Sequence, residues 1–164
     1  MIIKRLYSSQ EVVEGLHLVW DVFIRENASS CTQQGIEEFA RFIKMENFMP
    51  LVESGEMIVF GAVEGQDLGG VGAVRRDGHI SLLFVRPRRK GIAKALVGEM
   101  CRYCTMQFAL MRMTVNASVV STEAYHHMGF RDLAPVQEKN GIRFVPMDLM
   151  ISPANVRSSY NGKK

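Results

Sequence analysis

Residues 82–97 read LLFVRPRRKGIAKALV and join an apolar run to a basic segment that contains one proline and one glycine. The apolar run through Val85 is typical of a buried β-strand, and Pro87 interrupts it because proline has no backbone N–H to donate. Apolar residues then recur at helical spacing from Ile92 to Phe108, which predicts a helix from about residue 90 to residue 109. This stretch therefore predicts a strand that passes directly into a helix.

The start of that helix has the features of an anion-binding site. The first turn of a helix leaves backbone N–H groups unpaired, and the aligned peptide dipoles make that end positive. Small residues at 91 and 93 allow a phosphate to approach the backbone, and basic side chains add charge: Gly91 and Ala93, with Arg88, Arg89, Lys90 and Lys94. The segment favours a phosphate or pyrophosphate ligand. A solvated basic helix face, a nuclear localisation signal and an RNA patch are the alternatives, although no aromatic platform for RNA accompanies the run.

Outward from this segment, the residue pattern predicts a β-α-β unit. Strands at about 57–63, 68–76 and 79–85 form an antiparallel meander, with Asp77-Gly78 as a tight hairpin turn. The helix after Pro87 and a strand at 110–117 then make residues 80–117 a β-α-β unit with parallel strands.

The flanking segments complete one mixed α/β domain. The pattern predicts a strand at 2–7, helices with apolar positions in 13–23 and 36–43, a short helix at 121–128, and closing strands in 130–135 and 142–150. Pro50 and the ESGE turn are expected to end the helical section, and QEKNG (137–141) is expected to be a turn. We expect the domain to occupy residues 1–150 and residues 151–164 to form a polar tail.

Composition narrows the class of protein. The 20 Lys and Arg residues exceed the 17 Asp and Glu residues by only three, which gives little support to nucleic-acid binding. No apolar run reaches the length of a signal sequence or a membrane span, and three cysteines without a secretory signal favour a reduced, cytoplasmic protein. Cys101 and Cys104 form a C-x-x-C pair, but without a second pair at zinc spacing we expect two buried helix cysteines and no metal.

Two segments resemble the signatures of the GCN5-related N-acetyltransferase (GNAT) superfamily. LLFVRPRRKGIAKALV is similar to its motif A, an apolar strand ending in V-x-P followed by [QR]-x-x-G-x-[GA], with Arg88, Gly91 and Ala93 at the defining positions. NASVVSTEAYHHMGF (116–130) resembles a second signature, in which an asparagine ends a strand and A-Y-x-x-x-G-F follows. The order of elements matches the family over about residues 1–150.

The resemblance implies a GNAT fold, which is a single mixed, mostly antiparallel sheet with a central β-α-β unit that binds acetyl-CoA. It implies that the pantetheine arm lies along one strand and that the pyrophosphate lies at the helix start. The residues implied in cofactor binding are Leu83, Phe84, Val85, Arg88, Arg89, Lys90, Gly91, Ile92, Ala93, Lys94, Asn116 and Tyr125.

The reaction implied by the resemblance is direct attack of an amine on the thioester, with Tyr125 as the general acid for the departing thiolate. The base is open: His79 could take the amine proton through water, or it could be a solvated turn histidine, and some relatives use ordered water instead. The acceptor pocket would be walled by the first two helices and the closing strands, a region that holds Trp20, Phe23, Glu26, Glu37, Glu38 and Phe42. Acidic groups there would suit a cationic amine, but the acceptor, a small molecule or a protein amine, is not readable. A homodimer is possible, and a non-catalytic acyl-CoA-binding sensor or partner module is the alternative function.

Overall fold

The computed structural model describes residues 1–87 and 90–152, and these form one eight-stranded sheet and five α-helices. The strands are β1 (Ile2–Leu6), β2 (Met57–Glu64), β3 (Asp67–Arg75), β4 (His79–Val85), β5 (Arg112–Ser118), β6 (Arg131–Asp132), β7 (Gln137–Lys139) and β8 (Ile142–Met150). The helices are α1 (Ser9–Glu26), α2 (Gln33–Phe42), α3 (Met45–Glu53), α4 (Ile92–Phe108) and α5 (Thr122–His127), with a short 3₁₀ turn at Ala28–Ser30.

The sheet has the order β1-β2-β3-β4-β5-β8-β6, and β7 pairs with β8. Every pairing is antiparallel except that of β4 with β5, which α4 connects as a crossover helix. The predicted mixed sheet with a central β-α-β unit is therefore confirmed.

The central strands β2 and β3 are buried on both faces, because helices pack against each face of the sheet there. Residues of α1 and α3, among them Val19 and Phe48, share one apolar cluster with inward side chains of β2, β3 and β4. Residues of α4 and α5, among them Leu96 and Tyr125, share the second cluster with the opposite face of the sheet and with β5. This double coverage explains why β2 reads as a continuous apolar run instead of an alternating one.

A β-bulge at Ser81 separates β4 from β5. Ala73 of β3 pairs with Leu82 while Val74 pairs with Ile80, so Ser81 is the extra residue. Pairing with β5 covers only His79 and Ile80 and stops at the bulge. The next residues of β4, through Val85, keep their partners in β3 but have none in β5, so the two parallel strands diverge.

One helix prediction and one turn prediction differ from the structure. Pro50 lies inside α3 and does not end the helical section, because burial of Phe48 and Val52 in the core outweighs one missing helix hydrogen bond. The predicted QEKNG turn is shorter, since 137–139 form β7 and only Asn140 and Gly141, both with positive φ, make the turn. Asn-Gly flanked by strand residues is a hairpin signal in its own right.

At the end of the described chain, Ile151 packs against the core and its N–H donates to the Met111 carbonyl at 2.9 Å. The rest of the predicted polar tail, from residue 153 onward, lies outside the described residues.

The β7–β8 turn docks on the first turn of α2. The Thr32 N–H donates to the Gly141 carbonyl at 3.1 Å, and the Thr32 hydroxyl caps α2 by accepting from the Gly35 N–H at 3.2 Å. A Cβ at Gly35 would lie 2.4 Å from the Gly141 carbonyl oxygen, so only glycine permits this approach. On α2, Phe39 packs against Phe84 of β4, with the ring centroids 5.5 Å apart.

Candidate active site

The divergence of β4 and β5 creates a cleft of about 400 Å³, here called the central cleft. Leu83, Phe84 and Val85 line it from β4, and Asn116 lines it from β5. Because pairing with β5 stops at Ile80, the backbone of β4 beyond the bulge presents N–H and C=O groups that no β5 residue satisfies. The cleft therefore has the geometry to accept an extended ligand that pairs with a strand edge.

The start of α4 borders this cleft. Gly91 precedes the helix in the left-handed region, with a φ of 82°, and its carbonyl accepts from the Ala95 N–H at 3.0 Å. Ala93 is half-buried and lines the cleft, while Lys90 and Lys94 are exposed. Ile92 differs from its neighbours because its side chain is buried in the core and anchors the helix on the sheet. Arg88 and Arg89 lie outside the described residues.

Tyr125 lines the central cleft from α5. Its side chain is 6% exposed, and its ring packs edge-on against Phe130 with the centroids 5.2 Å apart. Burial raises the pKa of the Tyr125 phenol above its ordinary value of 10.0, so the hydroxyl keeps its proton at neutral pH. Within residues 1–87 and 90–152, Arg5 Nε is the buried side-chain nitrogen or oxygen that lacks a hydrogen-bond partner, so the Tyr125 hydroxyl is not an unsatisfied buried group.

A hydrogen-bonded chain crosses the same cleft and was not foreseen from the sequence. The Asn27 side-chain amide donates to the Ser118 hydroxyl at 3.0 Å, and the Ser118 and Ser121 hydroxyls lie 2.7 Å apart. These three residues join the end of α1 to the end of β5 and the start of α5, and all three line the cleft. No local sequence signal predicts such a link, because its members are up to 94 positions apart.

A second cavity of about 470 Å³, here called the side cavity, lies next to the central cleft. His79 lines the side cavity and does not line the cleft that holds Tyr125. Its Nδ1 lies 2.8 Å from the Thr114 hydroxyl, and its backbone N–H donates to the Asp77 carboxylate at 3.0 Å. Burial lowers the pKa of the His79 imidazole below its ordinary 6.5, with the Arg75 charge acting in the same direction. The ring is therefore neutral at neutral pH.

The residues expected around an acceptor are divided between the two spaces. Phe23 and Glu26 line the central cleft, whereas Glu38 and Phe42 line the side cavity. Trp20 lines neither space, and its ring stacks on that of Phe23 with the centroids 5.7 Å apart. The other acidic residue of this set, Glu37, is exposed and accepts from Gln33 on its own helix at 3.3 Å.

The C-x-x-C pair is buried in α4, as the sequence predicts. Cys101 and Cys104 are both free thiols, and burial raises the pKa of each to about 12. Both thiols therefore stay protonated and inert at neutral pH. Within residues 1–87 and 90–152, no three His, Cys, Asp or Glu side chains are grouped to hold a metal ion, and no helix there has the length and apolar character to span a bilayer.

Comparison with known proteins defines the class to which this fold belongs. The sequence model of the acetyltransferase (GNAT) domain family matches residues 27–151 of this chain. These residues include the diverging strands, the start of α4 and Tyr125. The chain therefore belongs to the GNAT acetyltransferase family, as the two sequence signatures predicted. No curated protein sequence is significantly similar to this chain.

Solved structures of low sequence identity share the fold. A GCN5-related N-acetyltransferase from Rhodopseudomonas palustris superposes with a TM-score of 0.76 at 15% identity, over 92% of this chain and 95% of that one. The PaiA N-acetyltransferase from Thermoplasma acidophilum, solved with coenzyme A, gives 0.72 at 16% identity, over 92% and 100%. A spermidine N-acetyltransferase SpeG chimera from Vibrio cholerae and hSSAT gives 0.62 at 14% identity, over 96% and 99%.

Proposed function

We propose that this protein transfers the acetyl group of acetyl-CoA to a primary amine by direct attack of the amine on the thioester. The observation that carries the proposal is the position of Tyr125, a largely buried side chain that lines the cleft where β4 and β5 diverge. A protonated hydroxyl at this position is suited to deliver a proton to a departing thiolate.

The cleft has features that fit acetyl-CoA, which when bound would supply the reactive thioester. The unpaired edge of Leu83, Phe84 and Val85 can exchange hydrogen bonds with the amides of a pantetheine arm. The start of α4 offers free backbone N–H groups to a pyrophosphate, and within residues 1–87 and 90–152 no atom beyond the chain neighbours lies within 4 Å of a Cβ built at Gly91. A volume of about 400 Å³ is in the range of small-molecule sites.

The proposed chemistry needs one proton donor and one proton acceptor. Tyr125 gives its proton to the sulfur as the carbon–sulfur bond breaks, and the new carbon–nitrogen bond releases a proton from the amine. His79 takes that proton through water: with Nδ1 donating to the Thr114 hydroxyl, Nε2 carries the free lone pair. Its lowered pKa keeps this lone pair available at neutral pH.

Replacement of Tyr125 by phenylalanine tests the acid. We expect kcat for thiol release to fall by about 10²-fold or more, since a positioned general acid contributes that much. The KM for acetyl-CoA should change little, because the ring and its packing on Phe130 are retained. Tyr103→Phe is the matched control, since its hydroxyl accepts from Arg5 at 3.0 Å outside the cleft and should leave kcat unchanged. A Tyr125→Phe variant with the full rate would remove the assigned role.

Thermal unfolding with saturating acetyl-CoA separates the enzyme from the alternative binding module. A ligand that binds only the folded state raises the midpoint of thermal unfolding. At a hundredfold excess over its Kd it adds about 2.7 kcal/mol to the free energy of unfolding. Stabilisation together with thiol release in the presence of amines supports the enzyme. Stabilisation without thiol release for any amine of a broad panel supports a sensor, and no stabilisation contradicts both functions.

A further inference from the structure

The side cavity and the central cleft are adjacent and share part of their lining. Six residues line both spaces, namely Phe39, Ile80, Ser81, Asn116, Ile142 and Phe144. The bulged Ser81 thus has one space on each side, and a molecule seated in the side cavity can extend one end past Ser81 toward Tyr125. The side cavity is therefore positioned to bind the part of the acceptor that does not react.

Two cations of the side cavity have no carboxylate partner among the described residues. Arg75, at the end of β3, is half-buried, and its Nε donates to the Ser81 hydroxyl at 3.4 Å. This single hydrogen bond leaves the two Nη groups of a planar guanidinium free, which is the arrangement that binds a carboxylate through paired hydrogen bonds. Lys139, on β7, lines the same cavity and forms no ion pair with a described residue either.

The two carboxylates that line the same cavity are already engaged. Glu38 forms an ion pair with Arg41 at 2.7 Å, outside the cavity. Asp77 accepts the His79 backbone N–H at 3.0 Å and holds the β3–β4 turn. Since His79 is neutral, the cavity has one positive charge in excess once the Glu38 pair is set aside. The acidic residues that suggested a cationic amine therefore do not dominate the space beside Ser81.

We infer that the acceptor is a small primary amine that also carries a carboxylate, with the carboxylate bound between Arg75 and Lys139 in the side cavity and the amine directed past Ser81 into the central cleft. This inference rests on the proposed acetyl transfer. The walls formed by Phe39, Phe42 and Phe144 suit the methylene chain between the two groups.

Matched acceptors test the inference. The probes are ω-amino acids of three to six carbons, the alkylamines of equal length without the carboxylate, and the diamines of equal length. We expect kcat/KM for the best amino acid to exceed that of its alkylamine and its diamine by about tenfold or more, because only the amino acid has a carboxylate that can form charged hydrogen bonds with Arg75 and Lys139. Equal or faster turnover of the alkylamine or diamine would overturn the inference, while the acetyl transfer itself would stand.

Variants of two neighbouring arginines test whether the preference for the amino acid over its alkylamine arises in the side cavity. Arg75→Gln should remove the preference for the amino acid over its alkylamine. Arg76→Gln is the control, because Arg76 is exposed and lies over the Phe108 ring, 5.0 Å from its centroid, away from the cavity. A preference that survives Arg75→Gln, or that disappears equally in Arg76→Gln, counts against the inference.

A binding measurement keeps the test independent of turnover. Calorimetry of the unreactive N-acetyl-ω-amino acid should give affinity at least about tenfold above that of the matching N-alkylacetamide, and Arg75→Gln should abolish the difference. Equal affinities would overturn the inference even if no amine is turned over. The acetyl-CoA stabilisation assay, run in parallel, reports separately on the proposed function.

Discussion

Gly91 lies where we propose that the start of α4 receives an anion. Its φ of 82° is in the region that glycine adopts freely, and in the described part of the chain no atom beyond its neighbours lies within 4 Å of the position of a Cβ. Any side chain there would therefore project into the approach to the free N–H groups and would not clash with the fold. The effect of a substitution on ligand binding can be separated from its effect on stability for this reason.

We predict that Gly91→Glu lowers the affinity for acetyl-CoA by at least about tenfold, because the new carboxylate repels a pyrophosphate and blocks its approach. Gly65→Glu is the control: Gly65 also has a positive φ, 61°, with no atom near its Cβ position, and it lies in the β2–β3 turn away from the cleft. Both variants should lose about 1–2 kcal/mol of stability from backbone strain. Isothermal titration and urea unfolding measure the two effects, and unchanged affinity in Gly91→Glu would refute a pyrophosphate contact.

Residue types near this site were predictable, but their surroundings were not. The sequence signature places Gly91 and Tyr125 because both belong to short local patterns. The burial of Tyr125 depends on Phe130 and on the sheet beneath it, and the hydrogen bond of His79 depends on Thr114, 35 positions away. Such environments arise only when distant segments meet.

Among the elements, α2 depends on a contact with the β7–β8 turn. The turn carbonyl of Gly141 lies against the backbone of Gly35 and binds the Thr32 N–H, so helix and hairpin hold each other in place. Because Phe39 of α2 and Ile142 and Phe144 of β8 line both spaces of the site, this contact also sets the shape of the site.

Gly35→Ala should weaken that contact. The added Cβ would lie 2.4 Å from the Gly141 carbonyl oxygen, so helix and hairpin must separate, at a cost of about 1–3 kcal/mol. Gly15→Ala in α1 is the matched control, since its Cβ would meet only the Leu6 and Val71 side chains at 3.3 Å and beyond. Both changes gain the same helix propensity. Urea unfolding measures the difference, and equal stabilities of the two variants would contradict the docking described above.

Elements with strong local patterns were predicted well, and those governed by packing were not. The meander, α4 and β8 follow from apolar periodicity and turn residues. α3 was missed because Pro50 is a helix breaker locally, while the core contacts of Phe48 and Val52 decide otherwise. The bulge at Ser81 leaves no mark in HISLLFV, since it is defined by the register of β3 against β4.

At the scale of the whole molecule, the candidate site lies at the parallel pairing of β4 with β5, whereas the other strand pairs among the described residues are antiparallel. The bulge in β4 and the crossover through α4 open the sheet there, and helices on opposite faces close the space above and below. The topology of this unit was predictable from sequence. The side cavity was not, because β3, β4, β5, α2 and the β7–β8 hairpin each contribute only a few residues to it.

The stability of the whole fold should depend on pH in two separate windows. His79 has a folded-state pKa below 6.5, so as the pH falls below 6.5 the unfolded chain gains a proton that the folded protein resists, and stability decreases. Glu11 has a pKa of about 2 in the fold, chiefly because of Lys4 and also because of hydrogen bonds in the Ser8 capping box. Its stabilising effect is complete above about pH 4.5 and is lost as the pH falls from there toward 2.

We predict that the free energy of unfolding, measured with urea between pH 8 and pH 3, decreases first below 6.5 and again below about 4.5, each group contributing at most about 1.4 kcal/mol per pH unit. His79→Gln should flatten the first decrease and leave the second. Glu11→Gln should leave the first decrease and reduce the second without removing it, because Arg131 and Arg112 also lower the pKa of Asp148, which loses its stabilising effect in the same acidic range. His17→Gln, on the exposed face of α1, controls for the loss of an imidazole. A first decrease that persists in His79→Gln would show that this buried histidine is not its source, and would weaken the case for a neutral His79 beside the side cavity.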